Sequence, residues 1–248
     1  MSPILILTAV ELEARALARA LGLPRLKSFP FPAFGNDAFS VVPVGLRASL
    51  LSTRFPALLE TLGRPLVVSS GVCGALDPTV KRGTIVLPEM VIGTRGERYG
   101  VAAVPHRRYV EAFERCGIPF AEGILATAME IVASAGAKAA LREVTGAIAV
   151  DMESSLILRA ASEAACPALT LRGVSDDASD SLPAELLGLV TPDGRLLKGR
   201  AAVAILRHPA VLSRALKLQR ATQAALAAIA EAFQSVTGFV LAAGDDLR

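Results

Sequence analysis

The sequence predicts an α/β protein with a parallel or mixed sheet that helices cover on both faces. Short apolar runs alternate with segments whose apolar residues recur at helical spacing over about the first 180 residues, and such alternation is typical of this fold class. The composition agrees, since 52% of the 248 residues are hydrophobic and 20% are charged, which indicates a folded core. Chains of this length and class often form one domain, so we expect a single domain over residues 1–248.

The first elements follow one another closely. They are a strand at 4–7, a helix at 11–21, a strand at 39–44, a helix at 49–62, and a strand at 66–68 that ends in a loop at 69–74. The later elements are strands at 84–87, 123–127, 148–150 and 168–171, with helices near 107–116, 134–143 and 153–165.

The pattern changes from Leu182 onward. Prolines and an Asp-Gly pair predict short helical pieces from about residue 183, before a long amphipathic helix at 211–233 and a frayed tail after Gly238. This helix has two interpretations. It docks on the core, or it forms a basic surface for a membrane or a lipidic substrate, together with Lys198, Arg200, Arg207 and His208.

Composition also excludes several classes of protein. A net charge of +3 with 4% aromatic residues and no Trp does not favour nucleic-acid binding. No apolar stretch reaches the roughly 20 residues of a membrane span, and no secretory signal precedes the first strand, so we expect a cytoplasmic protein. Three cysteines without metal-like spacing predict neither disulfides nor a metal site.

Three acidic residues come just after predicted strands, where α/β folds bind ligands. Glu13 opens the first helix, where the helix dipole favours an ionised carboxylate that can act as a base. Glu153 follows the strand at 148–150, and a carboxylate there can bind two ribose hydroxyls. Asp176 follows the strand at 168–171 and its turn, beside Ser175, and can serve as a general acid to a leaving purine.

Each acid also has a purely structural interpretation. Glu13 compensates a helix dipole, Asp151 caps the helix that Glu153 opens, and Asp176 belongs to a turn. The loop that ends with Cys73 and Gly74 lets backbone approach a ligand closely, with Cys73 as a small packing residue.

Three blocks of sequence together resemble the purine nucleoside phosphorylase and uridine phosphorylase superfamily, above all its methylthioadenosine/S-adenosylhomocysteine nucleosidase branch. They are Leu7-Thr8-Ala9-Val10-Glu11-Leu12-Glu13, Ser70-Gly71-Val72-Cys73-Gly74-Ala75-Leu76-Asp77-Pro78 through Val86, and Ala149-Val150-Asp151-Met152-Glu153 with Arg172-Gly173-Val174-Ser175-Asp176. The resemblance implies a three-layer α/β/α fold with a central mixed sheet, and a homo-oligomer, commonly a dimer.

The resemblance also implies roles for individual residues. Glu13 matches the water-activating base, Met152 a residue that packs on ribose, Glu153 the ligand of the ribose hydroxyls, and Asp176 the acid near purine N7. The base pocket departs from the nucleosidase pattern at 128–132, because Ile131 stands where an aromatic residue is usual, although backbone near Val132 could still bind the base edge.

The type of reaction follows from Glu13. A carboxylate at the nucleophile position repels phosphate and suits a water that must lose a proton, which favours hydrolysis without a cofactor. Phosphorolysis stays an alternative, with phosphate as co-substrate held by Arg15 or Arg47. The C-terminal third resembles the hopanoid-associated phosphorylase subgroup, which implies adenosylhopane as substrate. A non-catalytic nucleoside-binding protein is the alternative from another class.

Overall fold

The computed structural model describes residues 3–181 and 210–242, which form eleven strands and six α-helices. The strands are β1 (Ile4–Thr8), β2 (Phe34–Gly35), β3 (Phe39–Pro43), β4 (Leu66–Ala75), β5 (Ile85–Val86), β6 (Met90–Ile92), β7 (Arg98–Gly100), β8 (Phe120–Ala121), β9 (Ile124–Thr127), β10 (Ala149–Asp151) and β11 (Ala168–Asp176). The helices are α1 (Glu11–Ala20), α2 (Leu51–Leu62), α3 (Ala103–Cys116), α4 (Ala135–Thr145), α5 (Ser154–Glu163) and α6 (Ala210–Ala242), with a 3₁₀ turn at Leu46–Ala48.

All eleven strands belong to one mixed sheet, as predicted. Its main path runs β2-β3-β1-β4-β10-β9-β6-β7, while β11 pairs with β4 and β5, and β8 pairs with β5. The strand β4 is parallel to β1 and β11 but antiparallel to β10. Because β4 has ten residues and β1 has five, β4 extends beyond β1 and pairs with β10 near its own carboxyl end.

Helices cover both faces of this sheet, which confirms the α/β sandwich. Successive side chains of β1 point to opposite faces, so Ile4 and Ile6 pack with α1, α3 and α6, while Leu5 and Leu7 pack with α2 and α5. The core therefore has two layers, one on each side of the sheet. The helix α4 lies apart from both and contributes Leu141 to a smaller cluster.

Two predicted loops are in fact strand. The segment 69–74 continues β4, and the segment 172–175 continues β11, since the two pair in parallel from Val67 through Gly74. Their serines and glycines have weak strand propensity, but each segment supplies the hydrogen-bonding partner of the other. The prediction missed β2, β6, β7 and β8, which have only two or three residues and so show no period.

The long C-terminal helix packs on the core. Leu226, Ile229, Ala230 and Phe233 are buried against the layer of α1 and α3, which confirms the docked helix for this part. The helix continues to Ala242, four residues past Gly238, and the rest of the tail predicted to fray lies outside the described residues. The short pieces from about 183 and the basic residues at 198, 200, 207 and 208 lie outside the described residues. No helix in 3–181 or 210–242 combines the length and apolar character of a membrane span.

Candidate active site

The three predicted acids meet at one cavity of about 270 Å³. Glu13 arrives from the start of α1 and Asp176 from the end of β11, both at the carboxyl ends of strands parallel to β4. Glu153 arrives from the opposite direction, because β10 is antiparallel to β4 and pairs with it at Gly74 and Ala75. The length of β4 thus allows a third acid to reach the cavity from an antiparallel strand.

Glu13 is buried and held by backbone amides. Its Oε2 accepts hydrogen bonds from the amides of Ala9 and Val10 at 3.0 and 3.2 Å, and its Oε1 accepts one from Val72 at 3.1 Å. Burial raises the pKa of Glu13 above its usual 4.5, although Arg172 and these amides oppose the rise. Glu13 therefore binds the start of α1, as its structural interpretation predicts, and also borders the cavity.

A buried guanidinium lies among three carboxyls, and we call Glu13, Asp151, Glu153 and Arg172 the Arg172 cluster. Arg172 Nη2 lies 2.6 Å from Asp151 Oδ2, and Nη1 lies 3.8 Å from Glu153 Oε2. Burial alone would lower the pKa of Arg172, but the three carboxyls raise it. Its Nη1 has no hydrogen-bond partner among the described residues, but this atom is buried and Arg172 does not line the cavity.

Glu153 faces the cavity because Asp151 does the capping. Asp151 Oδ2 accepts a hydrogen bond from the Ser154 amide at 2.9 Å, which caps α5 as predicted. Glu153 Oε1 accepts one from the Arg47 amide at 2.9 Å. The pKa of Glu153 is raised to about 7, mainly by burial. The Arg172 guanidinium acts to lower this pKa, while the carboxyls of Asp151 and Glu13 act to raise it.

Asp176 has its own cation, and we call Lys138 and Asp176 the Lys138 pair. Lys138 Nζ contacts Asp176 Oδ2 and donates a hydrogen bond to the carbonyl of Asp177 at 2.7 Å. Ser175 Oγ donates to Asp176 Oδ1 at 2.7 Å. The Asp177 carboxylate is instead bound to Arg82 at 3.2 Å, so it does not compete for Lys138.

Two glycines of β4 leave room for these carboxylates. A Cβ at Gly71 would lie 2.7 Å from Glu13 Oε1 and 2.9 Å from Arg172 Nη1, and one at Gly74 would lie 2.9 Å from Asp176 Oδ2. Gly71 also has φ of 140°, which side-chain-bearing residues rarely adopt. The backbone of β4 therefore forms one wall of the cavity, with an acid packed on each glycine.

Comparison with known proteins identifies the family of the chain. The model of the phosphorylase superfamily matches residues 3–207. The chain belongs to this superfamily. The predictions of the family and of an enzyme of the nucleosidase and phosphorylase class are thereby confirmed. None of the functionally curated proteins matches the sequence.

Several solved structures share the superfamily fold. A variant of the Helicobacter pylori methylthioadenosine/S-adenosylhomocysteine nucleosidase with 5′-methylthioadenosine in its active site has a TM-score of 0.72 at 15% identity, covering 96% of this chain and 99% of that one. The Neisseria meningitidis nucleosidase with methylthio-immucillin-A has a TM-score of 0.73 at 15% identity, covering 96% and 99%. The futalosine hydrolase of Helicobacter pylori has a TM-score of 0.71 at 16% identity, covering 96% and 98%.

Most residues predicted for the superfamily site line the cavity. Besides the three acids, these are Cys73, Gly74, Ile131, Val132, Met152 and Ser175. Cys73 is buried, and burial raises the pKa of its thiol, which suits a packing residue. Ile131 is 45% exposed, so it lies at the mouth of the cavity.

The two arginines predicted for phosphate do not line the cavity. Arg15 is bound to Glu11 on the outside of α1, and its side chain is 55% exposed. Arg47 contributes its amide to Glu153, while its Nε donates to the Met129 carbonyl at 2.5 Å. The roles of Arg15 and Arg47 in binding phosphate stay predictions, and the buried guanidinium near the acids is that of Arg172.

Sequence reasoning also missed Lys138. The residue lies in an alanine-rich helix and is the one buried residue of α4, but no sequence pattern marks it as different from a surface lysine. Arg172 had a signal, because a charged residue directly follows the apolar run 168–171. Among residues 3–181 and 210–242, no three His, Cys, Asp or Glu side chains are grouped as metal ligands.

Proposed function

We propose that the chain hydrolyses the N-glycosidic bond of a purine nucleoside. One observation carries this proposal: Glu13, Glu153 and Asp176 come from three distant segments and border the same cavity. Hydrolysis of such a bond needs a base for water, a group that binds the sugar, and an acid for the leaving base. The cavity offers a carboxyl for each of these roles.

The roles follow from the surroundings of each carboxyl. Glu13 would take a proton from water, and the buried Arg172 guanidinium would balance its negative charge. Glu153 would accept hydrogen bonds from the ribose hydroxyls and stabilise positive charge on the sugar, with Met152 packed on the ring. Asp176 would protonate purine N7 as the base leaves.

The charges of the Arg172 cluster favour water over phosphate as the nucleophile. Three carboxyls surround a single guanidinium there, so a phosphate would meet excess negative charge. The phosphate-dependent alternative is less well supported, since neither Arg15 nor Arg47 lines the cavity. In either case the protein would need no cofactor, and phosphate would be a co-substrate only in the second.

The mouth of the cavity supports an apolar group on the substrate. Leu12, Leu46 and Ile131 line it, together with Thr222 of α6, and Leu12 is 62% exposed. We propose an adenine nucleoside with an apolar 5′ substituent, such as adenosylhopane in hopanoid biosynthesis. Such a substituent would cover these side chains from water.

For the domain organisation, location and oligomeric state of the enzyme, the proposal keeps what the sequence predicts. We propose a single-domain cytoplasmic homo-oligomer, most simply a dimer, which binds a small nucleoside and no nucleic acid. Peripheral membrane contact through the basic residues from 198 to 208 would bring an apolar substrate to the cavity, and co-sedimentation with anionic liposomes tests it.

Product analysis tests the proposed reaction. The purified protein is incubated with adenosine, methylthioadenosine and a 5′-alkylated adenosine, with and without phosphate, and free base and sugar are separated by chromatography. We expect adenine and free ribose or its 5′ derivative without phosphate, and faster release from the alkylated substrate. Strictly phosphate-dependent release of a sugar 1-phosphate would establish the phosphorylase instead.

Two variants of α1 separate catalysis from structure. Glu13→Gln should lower turnover by about 10²–10⁴ with little change in fold. Glu11→Gln is the matched control, because Glu11 is two residues away and pairs with Arg15 outside the cavity. Binding of adenosine analogues by wild type without any base release would favour the non-catalytic nucleoside-binding protein.

A further inference from the structure

Lys138 is an unusual lysine, because it is almost completely buried. Its side chain is 1% exposed, although the rest of α4 faces solvent or is half-buried. The Ser134 hydroxyl accepts a hydrogen bond from the Ala137 amide at 3.1 Å and caps this helix, and the Lys138 amide bonds to the Ser134 carbonyl at 3.0 Å. The start of α4 is thus fixed so that Lys138 points at Asp176.

The contact with Lys138 affects what Asp176 can do. Lys138 Nζ contacts Asp176 Oδ2, and Ser175 also donates to the other oxygen of Asp176. Both oxygens of the carboxyl therefore already face a donor. The leaving purine must be protonated if the proposed reaction is correct, and Lys138 is the amine in contact with the carboxyl proposed to protonate it.

We propose that Lys138 holds the proton that Asp176 delivers to the leaving purine. The inference rests on the proposed function and adds a residue to it that acts through Asp176. Lys138 is suited to this task because its Nζ contacts Asp176 Oδ2 directly, and the Asp177 carbonyl fixes Nζ from another side at 2.7 Å.

The proton transfer balances as follows. A proton moves from Lys138 Nζ to Asp176, and the carboxyl donates a proton to purine N7. The C1′–N9 bond breaks with its electron pair on the base, which leaves as a neutral purine, while the water oxygen bonds to C1′ and the water gives a proton to Glu13. Asp176 is again a carboxylate and Lys138 is a neutral amine, which regains a proton from solvent after the product leaves.

Lys138→Met tests this relay, with Lys81→Met as its control. The control makes the same substitution at an exposed lysine that does not line the cavity. Two substrates are compared: methylthioadenosine, whose base needs a proton to leave, and 4-nitrophenyl riboside, whose phenolate does not. We expect kcat of Lys138→Met to fall by about 100-fold or more on methylthioadenosine and by less than about fivefold on the phenyl riboside.

A double-mutant cycle with Asp176→Asn gives a second result on methylthioadenosine alone. If both residues serve one transfer, the double variant should be no slower than the slower single variant. Multiplied losses, equal losses on both substrates, or kcat equal to Lys81→Met would overturn the relay. Circular dichroism and adenine binding show whether each variant is folded.

The pH profile distinguishes holding the proton from only orienting Asp176. Asp176 faces Lys138 from α4, Ser175 on its own strand, and Cys73 and Gly74 on β4. In Lys138→Met the carboxyl must take its proton from solvent, so the kcat ratio of variant to wild type should rise on acidification. A flat ratio would overturn the role. Wild type that releases no base from any nucleoside would instead refute the proposed function.

Discussion

The Arg172 cluster and the Lys138 pair use the same kinds of groups in different proportions. In the cluster, three buried carboxyls share one guanidinium, and the pKa of both Glu13 and Glu153 is raised. In the pair, one carboxylate has one ammonium, and a serine hydroxyl in addition. The ratio of carboxyls to cations therefore differs threefold between the two ends of one cavity.

This difference teaches how a single residue type can serve two purposes. Excess carboxyl at the cluster suits a site where positive charge develops on a sugar and a water loses its proton. A balanced pair suits a site from which a proton is donated and then replaced. The following substitutions change the proportion at one end or the other.

The largest effect should come from removal of the only guanidinium in the cluster. Arg172→Met leaves Asp151 and its neighbours buried without a cation, and we expect about 3–5 kcal/mol of lost stability. Urea denaturation measures it. Arg159→Met is the control, because Arg159 pairs with Glu163 on the surface of α5 at 3.8 Å and should change stability by about 1 kcal/mol or less. An equal loss in both variants would contradict the central role of Arg172.

The raised pKa of Glu153 predicts a pH-dependent effect on stability. Folding raises this pKa from 4.5 to about 7, so the folded chain disfavours ionisation of Glu153. The protonated form of Glu153 makes its full contribution to the free energy of unfolding below pH 4.5. This contribution is on the order of 3 kcal/mol and is lost as the pH rises through 7. The glutamine in Glu153→Gln cannot ionise, so the Tm of this variant should rise relative to that of wild type as the pH is raised from 4.5 to 7. A constant difference in Tm would show that folding does not raise the pKa of Glu153.

The two glycines of β4 should respond differently to alanine. In Gly71→Ala the new Cβ meets Glu13 Oε1 and Arg172 Nη1, both buried, and φ of 140° adds strain, so we expect a loss of about 1–3 kcal/mol. In Gly74→Ala the three atoms nearest the new Cβ belong to the Asp176 carboxylate, which borders the cavity. Stability should then change less than activity. Thermal melts and adenine release measure both, and equal melting temperatures for the two variants would contradict this ranking.

The smallest effect should come from Arg15→Ala. Its pair with Glu11 is exposed, so stability should fall by less than about 1 kcal/mol and base release should stay within about twofold. The assay is repeated at high phosphate. A phosphate-dependent loss in this variant would return Arg15 to the nucleophile site and argue against hydrolysis.

The sequence predicted the order of elements well, because long apolar runs and helical spacing depend only on near neighbours. It missed the carboxyl-terminal ends of β4 and β11. Ser70 and Arg172 lie in these ends, where each strand is held by hydrogen bonds to the other. Strand length in such a case depends on pairing between residues about one hundred positions apart. Local propensity contains no information about that pairing.

The sequence located the acids of the site but not their cations. Glu13, Glu153 and Asp176 each follow a strand, which is a local signal. Lys138 and Arg172 acquire their roles only from contacts across the fold. The ratio of carboxyls to cations that distinguishes the Arg172 cluster from the Lys138 pair therefore could not be predicted from the sequence.

The continuity of β4 has a consequence for the distance between the Arg172 cluster and the Lys138 pair. Gly71 and Gly74 are three residues apart on one strand, which corresponds to about 10 Å. That spacing depends on bond lengths, so repacking of helices or growth of surface loops does not alter it. The proposed base and the proposed acid, which would act on opposite sides of one bond, can thus keep their separation while the surrounding residues diverge.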